Sequence, residues 1–275
     1  MKAIRIHSYG DVDTLSYEDA PLPEPGPADV RVRVHAAAVN PVDWKIRAGY
    51  LAAMVPHQMP LTLGWDVSGV VDQVGADVTH LSIGDAVYSR PDITRDGSYA
   101  EYVVVRASEV AAKPGTLSHN EAAAVPLAGL TAWQGLFDHA HLKAGERVLI
   151  HAGAGGVGSF AIQLAKWAGA HVIATASAAN EALVRGLGAD EFVDYRSQQF
   201  EEVLAKVDVV LDTIGGAFMV QPSSEALGRI AQLIDAGTVR VLIDSVFPLS
   251  ETRAAHEKSQ TGRAKGKIVL EVVPA

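Results

Sequence analysis

The stretch Arg147–Gly158, RVLIHAGAGGVG, limits what this chain can fold into more than any other. Val148, Leu149 and Ile150 make an apolar run too short for a helix and suited to a buried strand. Gly153, Ala154, Gly155, Gly156, Val157 and Gly158 follow at once with the spacing G-x-G-x-x-G. Beyond them Val157, Ala161, Leu164, Ala165 and Ala168 recur at i, i+4, i+7, i+8 and i+11, one face of a helix. After Gly169 a second strand-like run occupies His171 to Thr175. The glycines thus stand between a strand and a helix inside a βαβ unit, the setting in which this spacing binds a dinucleotide. Glycine lets the backbone turn sharply and approach a pyrophosphate. The helix N-terminus offers unpaired N–H groups and a partial positive charge. In a chain with 25 glycines the spacing alone would equally mark a tightly packed turn. The flanking strand and helix favour the nucleotide.

Composition narrows the rest. Hydrophobic residues make up 48% and charged residues 20%, an ordinary soluble globular balance. The 275 residues suit one large domain or two modest ones. A net charge of −9 and the lack of any Lys/Arg run argue against nucleic acid as a partner. Without cysteine the chain has no disulfide, no thiolate catalysis and no cysteine-ligated zinc or iron–sulfur centre. This is compatible with a reducing cytoplasm, the location we expect. The opening MKAIRIHSYG lacks the apolar core of a signal peptide. No apolar run approaches membrane-spanning length, so no membrane partner is expected.

Up to about residue 125 the signals are those of short strands. Lys2–His7 alternates, PLPEPGP at 21–27 is a loop, and Val30, Val32 and Val34 share one face of a period-two strand. Asn40-Pro41 marks a turn before a short helix at Asp43–Ala48. Strands are expected at 67–74, 86–89 and 99–105, a pattern of barrels and sandwiches. From Ser118, whose Glu121 completes a capping box, the period changes, and Leu127–His139 reads as a helix. Strands 147–151, 171–175, 191–195 and 208–213 then alternate with helices 157–168 and 180–187, predicting a parallel sheet covered on both faces. Helix Ser224–Ala236, strand Arg240–Ile243, helix Leu249–Gln260 and strand Lys267–Val273 close the chain.

Several motifs together carry a resemblance: VNPVDWKIRAG (39–49), PLTLGWDVSGVV (60–71), VPLAGLTAW (125–133), the glycine fingerprint, LGADEFVDY (187–195), VVLDTIGG (209–216) and GKIVLEV. The chain resembles the medium-chain dehydrogenase/reductase superfamily, in its zinc-independent, zeta-crystallin-like quinone oxidoreductase branch. The resemblance covers nearly the whole sequence. It implies an α/β fold with two parts. A GroES-like partial β-barrel catalytic domain takes 1–122 and 244–275, and a Rossmann doubly wound parallel-sheet domain takes 123–243 and carries the cofactor. Zinc-dependent relatives place a cysteine where Asn40 stands and Gly-His-Glu where this chain has Gly64-Trp65-Asp66. His139-x-His141 sits at a helix end and offers no convincing metal spacing, so no metal is expected. The nicotinamide then carries the chemistry, and the protein supplies orientation and electrostatics.

An NAD site would place an acid at the end of the second strand to hold the ribose hydroxyls. Here that strand ends in Ala174-Thr175-Ala176-Ser177, and the first acid is Glu181, which favours NADP(H). Ser177 resembles the family's 2′-phosphate serine, although it also suits a helix N-cap. Arg185 and Tyr195 are candidates to complete that pocket, and Tyr195 matches a family tyrosine. The resemblance places Asn40 and Thr131 beside the nicotinamide, where an amide and a hydroxyl can bond its carboxamide. Asn40 reads equally as a turn residue before Pro41, and Thr131 as a helix residue bonding its own backbone. Lys45 and Tyr50 fall in the segment that lines the family's quinone pocket. Trp44 and Trp65 read as core or pocket wall. Arg263 resembles an arginine that reaches the cofactor phosphates. No acid–base pair stands out, and none is assigned.

The implied activity is NADPH-dependent hydride transfer to a quinone. Reduction of an enone or alkenal double bond is the near alternative. A non-catalytic NADPH-binding sensor or structural protein is the distant one, because fold alone does not establish activity. The resemblance further implies a homodimer paired along the Rossmann sheet edge through a strand at Phe218–Gln221. One departure stands out. After Gly215-Gly216 the family continues with a helix, a further strand and a loop over the nicotinamide, whereas here Gly216 runs straight into Ala217. Losing an interior strand would bare apolar sheet edges at a cost beyond a domain's marginal stability. This join is therefore expected to mark a break in the chain rather than a true deletion.

Overall fold

The structure, a computed structural model, describes residues 1–215 and 218–273. The strands are β1 Lys2–Ile6, β2 Ser16–Asp19, β3 Asp29–Val39, β4 Leu61–Thr62, β5 Val67–Val74, β6 Ala86–Ser89, β7 Tyr102–Arg106, β8 Val110–Ala112, β9 Arg147–Ile150, β10 His171–Ala176, β11 Glu191–Asp194, β12 Val209–Leu211, β13 Ile243–Pro248 and β14 Lys267–Glu271. The helices are α1 Pro41–Arg47, α2 His119–Ala123, α3 Pro126–Trp133, α4 Gly156–Trp167, α5 Glu181–Gly186, α6 Phe200–Val203, α7 Ser224–Asp235 and α8 Thr252–Gln260.

The long strand β3 organises the first half. Its period-two valines, Val30, Val32 and Val34, point into one core with Val67, Val71, Val87, Val103 and Val105. Further along, Ala36 and Ala38 pack against Ala123 and Ala124, and their small side chains let α2 lie close. The curved sheet runs β13-β14-β3-β5-β6-β8, with β7 also on β3 and register shifts in β3 at Arg31/Val32 and Val34/Ala36. A smaller sheet, β2-β1-β4, closes one side. The second half is the parallel sheet β11-β10-β9-β12. Val148, Ile150, Val172 and Ala174 face one core, while Leu149, Ile173 and Val193 face the other side under Phe200 and Leu204. A strand buried on both faces has no polar side to show, which is why these runs are continuous rather than alternating.

Three expectations are corrected. The strand predicted at Arg240–Ile243 forms instead at Ile243–Pro248, and it pairs with β14 in the curved sheet. Asp244 secures it by accepting from the Lys265 amide at 2.9 Å. The helix predicted over Leu127–His139 is α3 followed by a π turn at Gln134–His139. Gly135 lies in this widened turn, where a Cβ would come 2.7 Å from Leu211 Cδ1. Phe218–Gln221 forms no strand. Gln134 holds it instead, donating to Gln221 O at 2.8 Å and accepting from Gln221 N at 3.0 Å. The join at Gly216–Ala217 lies outside the described residues. Among the described residues β12 is an edge strand of the parallel sheet, and Val210 is 51% exposed there.

Within the fingerprint the backbone itself requires glycine at Gly158. A Cβ there would fall 2.3 Å from Ala152 O and 2.8 Å from Gly153 Cα. Gly228, inside α7, has nothing within 4 Å of a built Cβ. Gly158→Ala should therefore lower unfolding free energy by about 1–3 kcal/mol through overpacking. Gly228→Ala should raise it by about 0.5–1 kcal/mol through helix propensity. Urea denaturation of the two variants checks the opposite signs.

Candidate active site

The fingerprint builds a cradle. β9 delivers the chain into Ala152, which turns with φ +51. Gly153 N donates back to Thr175 O at 2.9 Å, and α4 starts with Gly155 as its N-cap. Gly155 has no side chain to cap the helix, so the first-turn amides are left for a ligand. A cavity of about 350 Å³ opens over them, lined by Gly155, Gly156, Gly158, Thr213, Gly266 and Lys267. A second cavity, of about 460 Å³, adjoins it and is mainly apolar, with Val42, Leu51, Met54, Ile93 and Phe218 on its wall. Asn40, Pro41, Leu127, Val157 and Thr213 line both. One end of the site thus fits a pyrophosphate, and the other fits an apolar molecule.

Beneath this junction lies a buried polar knot. Asp66 is fully buried and accepts from Asn40 Nδ2 at 2.8 Å, Leu127 N at 2.6 Å and Lys267 Nζ at 3.2 Å. Lys267 Nζ also donates to Asn40 Oδ1. Only 4% of Lys267 is exposed, and its Cδ lies 3.0 Å from where a Gly156 Cβ would stand. The lysine stem is therefore pressed against the cradle. Burial raises the Asp66 carboxyl, while Lys267 and Asn40 hold it toward the ionised form. Asp43 stands behind, accepting from Asn40 N and Tyr99 OH at 2.7 Å each. Its burial raises the carboxyl to about 7 against those two bonds.

The structure divides the predicted residues. Asn40 lines both cavities, but its amide bonds Asp66 and Lys267. Thr131 lines the apolar cavity and donates to Leu127 O at 2.6 Å, within its own helix. Lys45 stands on the rim of the same cavity, over the Trp44 ring. Trp65 is fully buried in the barrel core.

Tyr50 is outside the cavity lining. It follows Gly49, whose φ of +81 turns the chain outward, and it is 72% exposed against Trp44. Ser177 follows β10 and meets Tyr195, which follows the paired strand β11 and donates its amide to Ala176 O at 3.4 Å. Arg185 does not join them. It pairs with Glu181 at 2.8 Å and donates to Asp190 O, at the opposite end of the sheet. Arg263 is exposed in the loop whose neighbours Gly262 and Ala264 line the cradle cavity.

Sequence reasoning missed three cations. Lys267 lay within the quoted GKIVLEV but carried no signal of its own. Arg196 follows Tyr195 and lies over its ring at 5.8 Å. Arg90 follows β6 directly and lines the apolar cavity.

Comparison with known proteins agrees with this geometry. Residues 26–115 match the alcohol dehydrogenase GroES-like domain, and 216–270 match the zinc-binding dehydrogenase family. The chain is 34% identical over 354 residues to the mitochondrial NAD(P)H oxidoreductase RTN4IP1 of Danio rerio, covering 99% of this chain and 92% of the relative. It is 37% identical over 313 residues to the 2-methylene-furan-3-one reductase of Solanum lycopersicum, covering 100% and 80%. Both alignments exceed the 275 residues of this chain, so the relatives carry residues it lacks.

The quinone oxidoreductase from Coxiella burnetii superposes with a TM-score of 0.94 at 35% identity over 99% of both chains. The Escherichia coli quinone oxidoreductase complexed with NADPH superposes at 0.88 with 26% identity, over 99% of this chain and 100% of that one. Fold and site thus define a two-part α/β oxidoreductase that takes a nicotinamide cofactor. The chain belongs to the medium-chain dehydrogenase/reductase superfamily, among its quinone oxidoreductases. Among the described residues no group of three or more His, Cys, Asp or Glu is arranged to hold a metal ion.

Two predictions follow from the knot. Lys267→Met and Asp66→Asn should each cost about 3–5 kcal/mol in urea unfolding, because each strands a buried partner. The double variant should cost clearly less than their sum; additive losses would contradict the pairing. Asp43 gives a pH dependence. Its carboxyl is raised in the fold, so between the unfolded value of 3.8 and about 7 the native state holds the proton that the unfolded state has released. Its contribution is full below about pH 4 and is lost as pH rises to about 7, by at most about 4 kcal/mol. Asp43→Asn should flatten that slope in thermal unfolding measured from pH 4 to 8.

Proposed function

We propose that this protein is an NADPH-dependent, metal-free enzyme that transfers hydride to a quinone. The observation that carries this is the junction of the glycine cradle with an apolar cavity across Asn40, Val157 and Thr213. A bound nicotinamide cofactor supplies the hydride. The residues present suit it: α4 points uncapped amides into the cradle, whose cavity Gly155 and Gly156 line. Val157 and Leu127 wall the junction and exclude water. Asn40, held by Asp66 and Lys267, keeps a fixed polar edge there.

The reading without metal rests on Lys267. Its ammonium already stands between Asn40 Oδ1 and Asp66 Oδ2, so a divalent cation would meet a fixed positive charge. The preference for NADPH rests on the ends of β10 and β11. Ser177 and Tyr195 sit side by side there, with Arg196 on the tyrosine ring. Asp194 turns its carboxylate into its own turn, accepting from Arg196 N and Ser197 Oγ at 3.1 Å each. Arg196 thus takes the role that the sequence reading gave to Arg185.

Reduction of an activated double bond is a second reading, favoured by the similarity to the tomato furanone reductase. The reading further carries a homodimer, paired where Val210 and Ile214 are exposed beside β12, and a cytoplasmic setting.

Steady-state oxidation of NADPH and NADH with a 1,4-quinone and a 2-alkenal tests the whole reading. NADPH with the quinone should be the fastest pair, and prior dialysis against EDTA should leave its rate unchanged. Arg196→Gln should lower kcat/KM for NADPH by about 10–100-fold, the worth of one charge-assisted hydrogen bond, and leave NADH unaffected. An equal loss with both cofactors, or no turnover with either acceptor, would refute the assignment.

A further inference from the structure

Arg90 is a buried cation without an ion pair or a side-chain hydrogen bond among the described residues. It follows β6 and is only 4% exposed, and its Nε has no hydrogen-bond acceptor among the described residues. No ion pair to its guanidinium forms among them either. Burial pushes the guanidinium down, and the carboxylates of Asp66, Asp92 and Glu109 pull it up. A guanidinium keeps its proton in proteins, so it remains charged.

Those carboxylates are committed elsewhere. Asp66 is held by Lys267 and Asn40, while Asp92 and Glu109 share Arg106 at 2.5 and 2.9 Å. Asp43, the other acid within electrostatic reach of Arg90, accepts from Tyr99. An unpaired buried guanidinium is costly unless something else completes it.

The position of Arg90 says what that is. It lines the apolar cavity of about 460 Å³ and also a neighbouring, more polar one of about 680 Å³ that runs past Thr94, Ser108 and Gln221. Met54, Ile93, Met219 and Val220 line both, so Arg90 stands at the neck between them. Resting on the reading of the apolar cavity as the substrate chamber, we propose that Arg90 anchors a carboxylate on the substrate. The substrate is then amphiphilic, with an apolar reducible head in the chamber and a carboxylate at the neck. The planar fork of Arg90 matches a carboxylate in two parallel hydrogen bonds. A phosphate dianion fits less well, because the next cation, Arg106, is already held by Asp92 and Glu109.

The test uses the whole protein with and without NADPH. Calorimetric titration compares 2-naphthoate with 2-naphthamide, ligands of one shape that differ in charge. The wild type should bind the acid at least tenfold more tightly than the amide. Arg90→Gln should abolish that difference, and Arg90→Lys should keep part of it. A 1,4-naphthoquinone bearing a propionate side chain, compared with its methyl ester, should show the same ranking in kcat/KM. No preference in the wild type, or one that survives Arg90→Gln, overturns the proposal. The titration needs no turnover, so failure to reduce any acceptor would count against the proposed reaction and leave the anchor standing on its binding data.

Discussion

The contact on which the rest of the site depends is the one among Lys267, Asp66 and Asn40. These residues are far apart in the chain: 227 positions separate Lys267 from Asn40, and 201 separate it from Asp66. Asn40 follows β3, Asp66 precedes β5, and Lys267 opens β14. Leu127 N, at the start of α3, joins through Asp66 Oδ1. The knot therefore ties the barrel, the returning C-terminal strand and the entrance of the parallel-sheet half into one unit. Such a cluster is costly to desolvate and costly to break, so it specifies an arrangement more than it adds net stability.

The knot also sets the cofactor cleft. Gly266 donates to Ala154 O at 3.0 Å, and Gly155 bridges Gly266. The strand that carries Lys267 thus rests directly on the fingerprint loop. Gly266 needs its φ of +83 for this, because a Cβ there would lie 2.3 Å from Leu242 O. The glycines of the fingerprint serve two neighbours: Gly158 lets α4 approach its own strand, and Gly156 lets the lysine stem pass beneath the phosphate site. A larger residue at either point would move the helix terminus away from the barrel, and with it the junction of the two cavities.

What was legible in the sequence was local. The strand–glycine–helix unit, the valines of β3 and the Ser118–Glu121 capping box each depend on residues within a few positions, and each formed where expected. What was not legible depends on distant partners. Lys267 has its role only because β14 returns to β3, with Ile268 opposite Val39. Arg185 lay close to Ser177 in sequence, but helix α5 carries it to the far end of the strand. Arg196 lay further along and is brought beside Ser177 by the pairing of Ala176 with Asp194. Tyr50 failed for a different reason: one left-handed glycine decides which way it faces. The resemblance made Phe218–Gln221 a pairing strand, but the Gln134 side chain takes the backbone bonds of Gln221 that a neighbouring strand would have taken.

The buried charges also shape the field in the apolar cavity. Lys267 and Asp66 cancel, and Asp43 stays neutral up to about pH 7 because burial outweighs its two hydrogen bonds. Beside the apolar wall that leaves the guanidinium of Arg90, buried and without an ion pair among the described residues, with the exposed Lys45 adding positive charge at the rim. In a water-poor cavity such a charge acts over a longer range than it would in solvent. It favours electron-rich groups, and it favours them most where negative charge accumulates. As pH rises past about 7, Asp43 ionises and offsets part of this charge. The cavity's attraction for an anion should weaken there, although Arg90 itself keeps its proton.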